Sequence, residues 1–268
     1  MADFKELQSN PSSRRTFLTR MAGAGLGAAA LSLLTPTAQA SGKHLLDVVN
    51  VPDNEKMPGI PGRTKDEQVL NYALTLETLE ADLYRQALNL AAGKDITTPL
   101  PDDTSSYTMA IGIGGMIDPY PHTYSQLGFT YLRQFAAVEA AHRDFLRAAI
   151  QAGGGTPVGP NPGGYHAPFG NTLESILQLI LQVEETGVRA YLGAAGAINN
   201  FKTTQIAASI YSTEARHSAA IKMILAMAPD PTKQRGDSQV TPRQMYEYDF
   251  EFFQTPEQII AAVTPFFA

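Results

Sequence analysis

The 268-residue chain contains no cysteine. That excludes a disulfide scaffold, a thiolate-held zinc or iron–sulfur centre, and a cysteine nucleophile. Any metal must be held by carboxylate and imidazole, donors that suit iron, manganese or zinc. An excess of positive charge is also lacking: the formal net charge is -6. The first 40 residues carry Lys5, Arg14, Arg15 and Arg20 against Asp3 and Glu6, so the remainder holds 16 basic and 24 acidic side chains. A surface this acidic repels phosphate backbones, and nucleic acid is not an expected partner. The uncharged stretch Met21 to Leu34 falls short of the ~20 apolar residues that span a bilayer. The 18 prolines and 22 glycines gather between long periodic segments rather than inside them. This favours one helical domain with substantial loops.

At the amino terminus, Ser13-Arg14-Arg15-Thr16-Phe17-Leu18 precedes that uncharged stretch, and Ala38-Gln39-Ala40 follows it. A basic region, a short apolar region and a small-x-small cleavage site form the layout of a secretory signal. The paired arginines and the Gly/Ala-rich apolar region resemble a twin-arginine signal. That resemblance implies cleavage after Ala40, export in the folded state, a periplasmic or extracellular location, and no membrane span after cleavage.

Residues 41–65 are polar and read as a lead-in. Four helical patterns follow, at 66–92, 125–152, 171–197 and 202–228. Asp66 is placed to cap the first, and Asn171 or Thr172 the third. Gly153-Gly154-Gly155 ends the second, and Pro229 and Pro231 end the fourth. Asn199-Asn200 makes a tight turn, so the third and fourth helices should be antiparallel neighbours. The 18 residues Gly153 to Gly170 can reach up to ~60 Å. A 25-residue helix is ~38 Å long, so this segment can cross a whole bundle. Residues 229–268 form an extension. Within it, Tyr246 to Phe252 alternates aromatic and acidic, as in an extended strand-like segment. Thr255-Pro256-Glu257-Gln258 reads as the capped start of a short last helix.

The second helix contains Glu139-Ala140-Ala141-His142 and the fourth Glu214-Ala215-Arg216-His217. An i,i+3 spacing sets carboxylate and imidazole side by side on one helix face. With 13 glutamates and five histidines, chance predicts roughly a quarter of one such match. The first and third helices each carry a glutamate followed at i+7 by tyrosine: Glu77 with Tyr84, and Glu184 with Tyr191. On a wheel of ~100° per residue, Glu77 lies with Leu70, Ala73, Tyr84 and Leu88. It faces away from the polar side formed by Asn71, Thr75, Thr78, Asp82, Arg85 and Asn89. Glu184 lies with Leu177, Ile180, Val188 and Tyr191. The two wheels superpose at an offset of 107 residues, a degenerate internal repeat. Glu139 and His142 share a face with Tyr131, Phe135 and Leu146. Glu214 and His217 share theirs with Ile206, Ile210, Ile221 and Ile224. Four carboxylates and two imidazoles thus point into apolar surroundings with no lysine or arginine in the same stripes. Buried carboxylates require protonation, pairing or a metal. Glu80 also lies on the buried side of the first helix, but its repeat partner is Gly187. Glu185 sits on the polar face within i,i+4 reach of Arg189, and His44, His122 and His166 fall outside the helices.

One glutamate from each of two helices plus Glu-x-x-His from each of the other two resembles the ligand set of ferritin-like di-iron and di-manganese carboxylate proteins. The layout is similar to exported, desiccation-related members of that group. The resemblance implies an all-α, ferritin-like four-helix bundle over 66–228, with one long crossover between the second and third helices. Glu77 and Glu184 would be terminal ligands, Glu139 and Glu214 bridging ones, and His142 and His217 would each hold one metal. Tyr84 and Tyr191 would stand beside the site and serve its chemistry. It further implies two iron ions, or manganese, acting on iron, oxygen or peroxide in stress protection, in a monomer or homodimer. The alternative is a stress-protective structural protein whose metal site only stabilises it.

Overall fold

The computed structural model describes residues 56–110, 124–226 and 253–267. The expected signal segment, most of the lead-in, His44, His122, Pro229, Pro231 and the alternating 246–252 run lie outside the described residues. Among the described residues lie five α-helices: α1 (Lys65–Ala91), α2 (Tyr124–Ala152), α3 (Leu173–Ala194), α4 (Phe201–Ala226) and α5 (Pro256–Val263). The third helix stops short of 197, its last residues tightening into a 3₁₀ turn, Ala195–Ala197.

The helix starts follow capping chemistry. Thr64, not Asp66, caps α1: its hydroxyl accepts from Glu67 N at 3.1 Å. The Asp66 carboxylate instead accepts from Asn199 N (3.2 Å) and Asn200 N (2.9 Å), tying the α3–α4 turn to the α1 amino terminus. Thr172 caps α3 in a reciprocal box with Ser175, and Thr255 caps α5 in another with Gln258. Both boxes satisfy amide groups that helix ends leave without partners.

Loop contacts set the helix directions. Glu67 Oε1 accepts from Thr156 N at 3.0 Å, and Arg63 bonds the Gly154 carbonyl. The carboxyl end of α2 therefore meets the amino end of α1, and the two are antiparallel. Asp66 brings the carboxyl end of α3 to the same place, so α1 and α3 are antiparallel as well, as are α3 and α4. The 153–172 connection must then cross the bundle from end to end. It runs along α1, held first by Asn71 and later by Gln86, whose Nε2 donates to the Tyr165 carbonyl at 2.8 Å. A single long crossover between the second and third helices is the ferritin-like topology.

The polar side of α1 faces these loops rather than water. Asn71 and Asn89 are fully buried, and Thr78 and Gln86 nearly so. Asn71 Nδ2 donates to the Pro61 and Thr156 carbonyls, both at 3.1 Å, and its Oδ1 accepts from Val158 N at 2.7 Å. Asn89 Nδ2 donates to the Thr98 carbonyl at 2.7 Å, and its Oδ1 accepts from the Tyr107 hydroxyl at 3.1 Å. These amides satisfy backbone groups of loops that would otherwise be buried without partners. After 252 the chain returns to the bundle at α3. Gly193 makes the close approach possible, because a Cβ there would collide with the Gln254 backbone. The last residues dock on the crossover: His166 N donates to the Phe266 carbonyl at 2.8 Å, and Tyr165 meets Phe267 edge-on at 5.2 Å.

Replacing Asn71 with alanine should strand two carbonyls and one amide in the interior. The expected loss is about 2–3 kcal/mol of unfolding free energy, measured by urea titration. An unchanged midpoint would mean that the crossover is anchored by other contacts.

Candidate metal centre

Helix geometry delivers the central side chains. An i+7 spacing is two turns, about 10.5 Å along the axis. Because α1 and α3 are antiparallel, Glu77 on α1 comes level with Tyr191 on α3, and Tyr84 with Glu184. Tyr191 Oη donates to Glu77 Oε1 at 2.6 Å, and Tyr84 Oη donates to Glu184 Oε1. Each tyrosine thus orients the carboxylate of the opposite half of the repeat, related by a pseudo-twofold axis between the two helices.

From α2 and α4, the two Glu-x-x-His pairs enter between these layers. His142 Nδ1 lies 2.9 Å from Glu139 Oε2 and 3.3 Å from both Glu77 Oε2 and Glu214 Oε1. His217 Nδ1 lies 2.8 Å from Glu139 Oε1 and 3.4 Å from Glu184 Oε1. Phe135 stacks on the His217 ring with centroids 3.8 Å apart, bracing the imidazole from one side. The structure brings together all six side chains singled out in the sequence. They fall into two overlapping sets: Glu77, Glu139, His142 and Glu214, and Glu139, Glu184, Glu214 and His217. Within each set the candidate ligand atoms lie within 4.8 Å of one another. Glu139 and Glu214 belong to both sets, while Glu77 and Glu184 belong to one each. The glutamates are fully buried or nearly so, and His142 is the most exposed of the six.

Many of the lone pairs have no hydrogen-bonding partner. One oxygen of Glu77, of Glu139 and of Glu184, both oxygens of Glu214, and His217 Nδ1 lack a hydrogen bond of ordinary geometry. Of these, Glu77 Oε2, Glu139 Oε1 and Glu214 Oε1 have only an imidazole nitrogen close by, at 2.8–3.3 Å. Among the described residues no lysine or arginine forms an ion pair with these carboxylates; the cationic partners within reach are His142 and His217. Orphaned acceptors converging on two points, with imidazole nitrogen among them, are a donor set that two divalent cations fit. Carboxylate and imidazole suit iron, manganese or zinc.

A seventh group joins them. Glu80 is buried, one of its oxygens has no partner, and its carboxylate faces Gly187. A Cβ at Gly187 would stand 3.0 Å from both Glu80 Oε1 and Glu214 Oε2. The wheel of α1 already puts Glu80 on the buried side. The glycine at the equivalent position of α3, which counts against a ligand repeat there, is what makes room for it. Away from the cluster, Glu185 bonds Ser218 and pairs with Lys222 at 2.7 Å and Arg189 at 3.3 Å. His166 is exposed on the crossover, apart from both sets.

The electrostatics describe a site crowded with negative charge. Burial raises the carboxyl of Glu77 to about 7. Burial, reinforced by neighbouring carboxylates, holds Glu80 and Glu214 well above the ordinary range. Glu184 is raised by burial too. Glu139 alone is lowered: burial opposes its charge, but hydrogen bonds to His142 and His217 outweigh it. Burial likewise works against charge on both imidazoles, yet their carboxylate neighbours raise His142 to about 12 and His217 to about 9. The site therefore holds protons at neutral pH that any cation binding there would have to displace.

The sign of the pH dependence follows. Groups raised in the folded state contribute stability below their unfolded values and lose it as pH climbs through the folded ones. For Glu77 that window runs from 4.5 to about 7, and for His217 from 6.5 to about 9. Metal-free protein should lose thermal stability steadily from pH 5 to pH 9. Metal uptake at pH 7 should release protons, detectable with an indicator dye. A metal-free melting temperature that rises over this range would contradict the arrangement.

No curated protein matches the chain. A family profile described as ferritin-like domain matches residues 65–227, which takes in α1 to α4 and every member of the cluster. The helix order, the crossover and this match agree, and the chain belongs to the ferritin-like domain family.

Proposed function

We propose that this chain is an exported di-metal carboxylate protein that oxidises iron or consumes oxygen or peroxide, and so protects the cell envelope under stress. The observation that carries the reading is the pair of overlapping donor sets sharing Glu139 and Glu214, with their lone pairs orphaned in an apolar interior. Glu77 and His142 would hold one metal and Glu184 and His217 the other, with Glu139 and Glu214 between them. Four carboxylates match the charge of two divalent cations. When bound, iron or manganese would supply one-electron redox chemistry toward oxygen or peroxide.

The remaining roles belong to this chain's own side chains. Tyr84 and Tyr191 act as positioning residues, each donating its hydroxyl proton to a terminal carboxylate and fixing which oxygen is free to bind. Phe135 keeps the His217 ring from turning. The apolar clusters on either side, with Leu132, Ile180 and Ile221 in one and Leu74, Leu146 and Ile210 in the other, exclude bulk water. Export by the twin-arginine route would carry the bundle across the membrane already folded, with its metals inserted. Work as a monomer or homodimer without nucleic acid is consistent with the acidic charge balance.

Elemental analysis of protein purified after its native export should find about two metal ions per chain. Glu139→Ala removes a carboxylate from both donor sets, so it should lower metal content below about one ion per chain and abolish metal-dependent thermal stabilisation. Glu77→Ala should spare the Glu184 and His217 position. Fewer than about one metal per chain in the parent protein, with unchanged stability in Glu139→Ala, would sink the reading. Assays of peroxide consumption after loading with iron, manganese or zinc identify the active ion. Tight zinc binding with no oxygen or peroxide chemistry under any metal would favour a purely stabilising role.

A further inference from the structure

A cavity of about 180 Å³ lies between α1, α3 and the returning α5. Its outer lip is made by Gln182 and Ala262, both exposed. The walls are mostly apolar, with Leu76, Leu79 and Val183 among them and Thr186 the polar exception. The inner end is formed by Glu80 and Gly187, both buried. The cavity thus leads from the surface to the rim of the carboxylate cluster.

Three observations give it a purpose. The volume is about ten times the ~10–15 Å³ that a cavity needs to hold one water, so small molecules fit along it. Its apolar walls disfavour charged solutes, which would have to shed their hydration to enter. At its inner end Gly187 presents no side chain. A Cβ there would stand 3.0 Å from Glu214 Oε2, a candidate ligand atom, and equally close to Glu80 Oε1, so the Glu80 carboxylate and the bare Gly187 backbone together form the boundary between cavity and cluster. Glu80 Oε2 offers an unpartnered hydrogen-bonding atom at the same end.

We propose that this cavity is the passage by which a small uncharged oxidant, of the dioxygen or peroxide class, reaches the metal pair, with Gly187 as its aperture and α5 as its outer wall. The proposal rests on the di-metal reading given above. In it α5 completes a channel that the four-helix bundle alone would leave as an open groove. Gly193, which lets the chain before α5 lie directly on α3, sets the position of that wall.

Because the chain has no cysteine, a single introduced thiol can be modified alone. Ala262→Cys places it at the lip. Ala261→Cys places it on the adjacent exposed residue of α5, which does not line the cavity. Each variant, loaded with ferrous iron, is modified with a methylthio or an adamantylthio group. Nitric oxide, an uncharged probe, is then mixed in and its binding followed by absorbance. The adamantyl adduct of Ala262→Cys should slow nitric oxide binding at least tenfold with iron content unchanged. Its methylthio adduct and both adducts of Ala261→Cys should bind at the parent rate. In crystals of the unmodified protein under xenon pressure, a xenon atom should sit between Leu79 and Val183, and the adamantyl group should displace it. Equal rates for the two adamantyl adducts in iron-replete protein, or no xenon in the cavity, would overturn the passage and leave the metal site standing. A chain that takes up no iron in any form would overturn both.

Discussion

Five carboxylates share one buried interior in which, among the described residues, no lysine or arginine pairs with them, and the rest of the bundle is arranged around that demand. An ionised carboxylate taken out of water carries a penalty of several kcal/mol even after relaxation. Here the opposing terms are two imidazoles, two tyrosine hydroxyls and retained protons. Such a cluster is a poor way to hold four helices together when an aliphatic layer of the same volume would do so without cost. Its retention in the middle of the core points to a cation, whose charge reverses the balance by neutralising the carboxylates and occupying the lone pairs that no protein donor reaches.

The helices supply this cluster through periodicity and direction. Two i,i+3 pairs put carboxylate beside imidazole on α2 and α4. Two i,i+7 pairs on antiparallel α1 and α3 put each tyrosine opposite the other helix's glutamate. Neither hairpin contains a complete donor set. Glu77 comes from the first and Glu184 from the second, and the shared Glu139 and Glu214 come one from each. The site therefore comes into being only when the two hairpins dock, and cation binding there would be thermodynamically linked to tertiary assembly.

Much of this is legible in the residues, for a physical reason. A buried helix face repeats every three to four residues, so Glu77, Glu139, Glu184 and Glu214 stand out as acids on apolar stripes, and the 107-residue offset exposes the repeat. Where such a reading falls short, it fails in a consistent way. A wheel separates polar from apolar, not water from protein. Asn71, Gln86 and Asn89 lie on the polar side of α1, yet they are buried because loops cover them and use their amides as partners. Asp66 resembles a cap because its type and position suit one. Thr64 takes that role two residues earlier, leaving Asp66 free to bind the α3–α4 turn. The part played by Glu80 depends on a glycine 107 residues away across the repeat; the sequence shows the pairing, but that the glycine makes room for the acid is visible only once α1 and α3 lie side by side. The return of α5 onto α3 has no local signal beyond its capping box.

The opposition of Glu80 and Gly187 bears on how such a chain is built. A residue close to a twofold axis meets its own symmetry mate. In a strictly symmetric dimer of one hairpin, two glutamates at this position would collide and two glycines would leave no acid at all. Only a chain that joins the hairpins covalently can encode one of each, giving the two halves of the centre different neighbours. Fusion of the repeat thus does more than raise local concentration. It permits handed chemistry at a place where symmetry would forbid it.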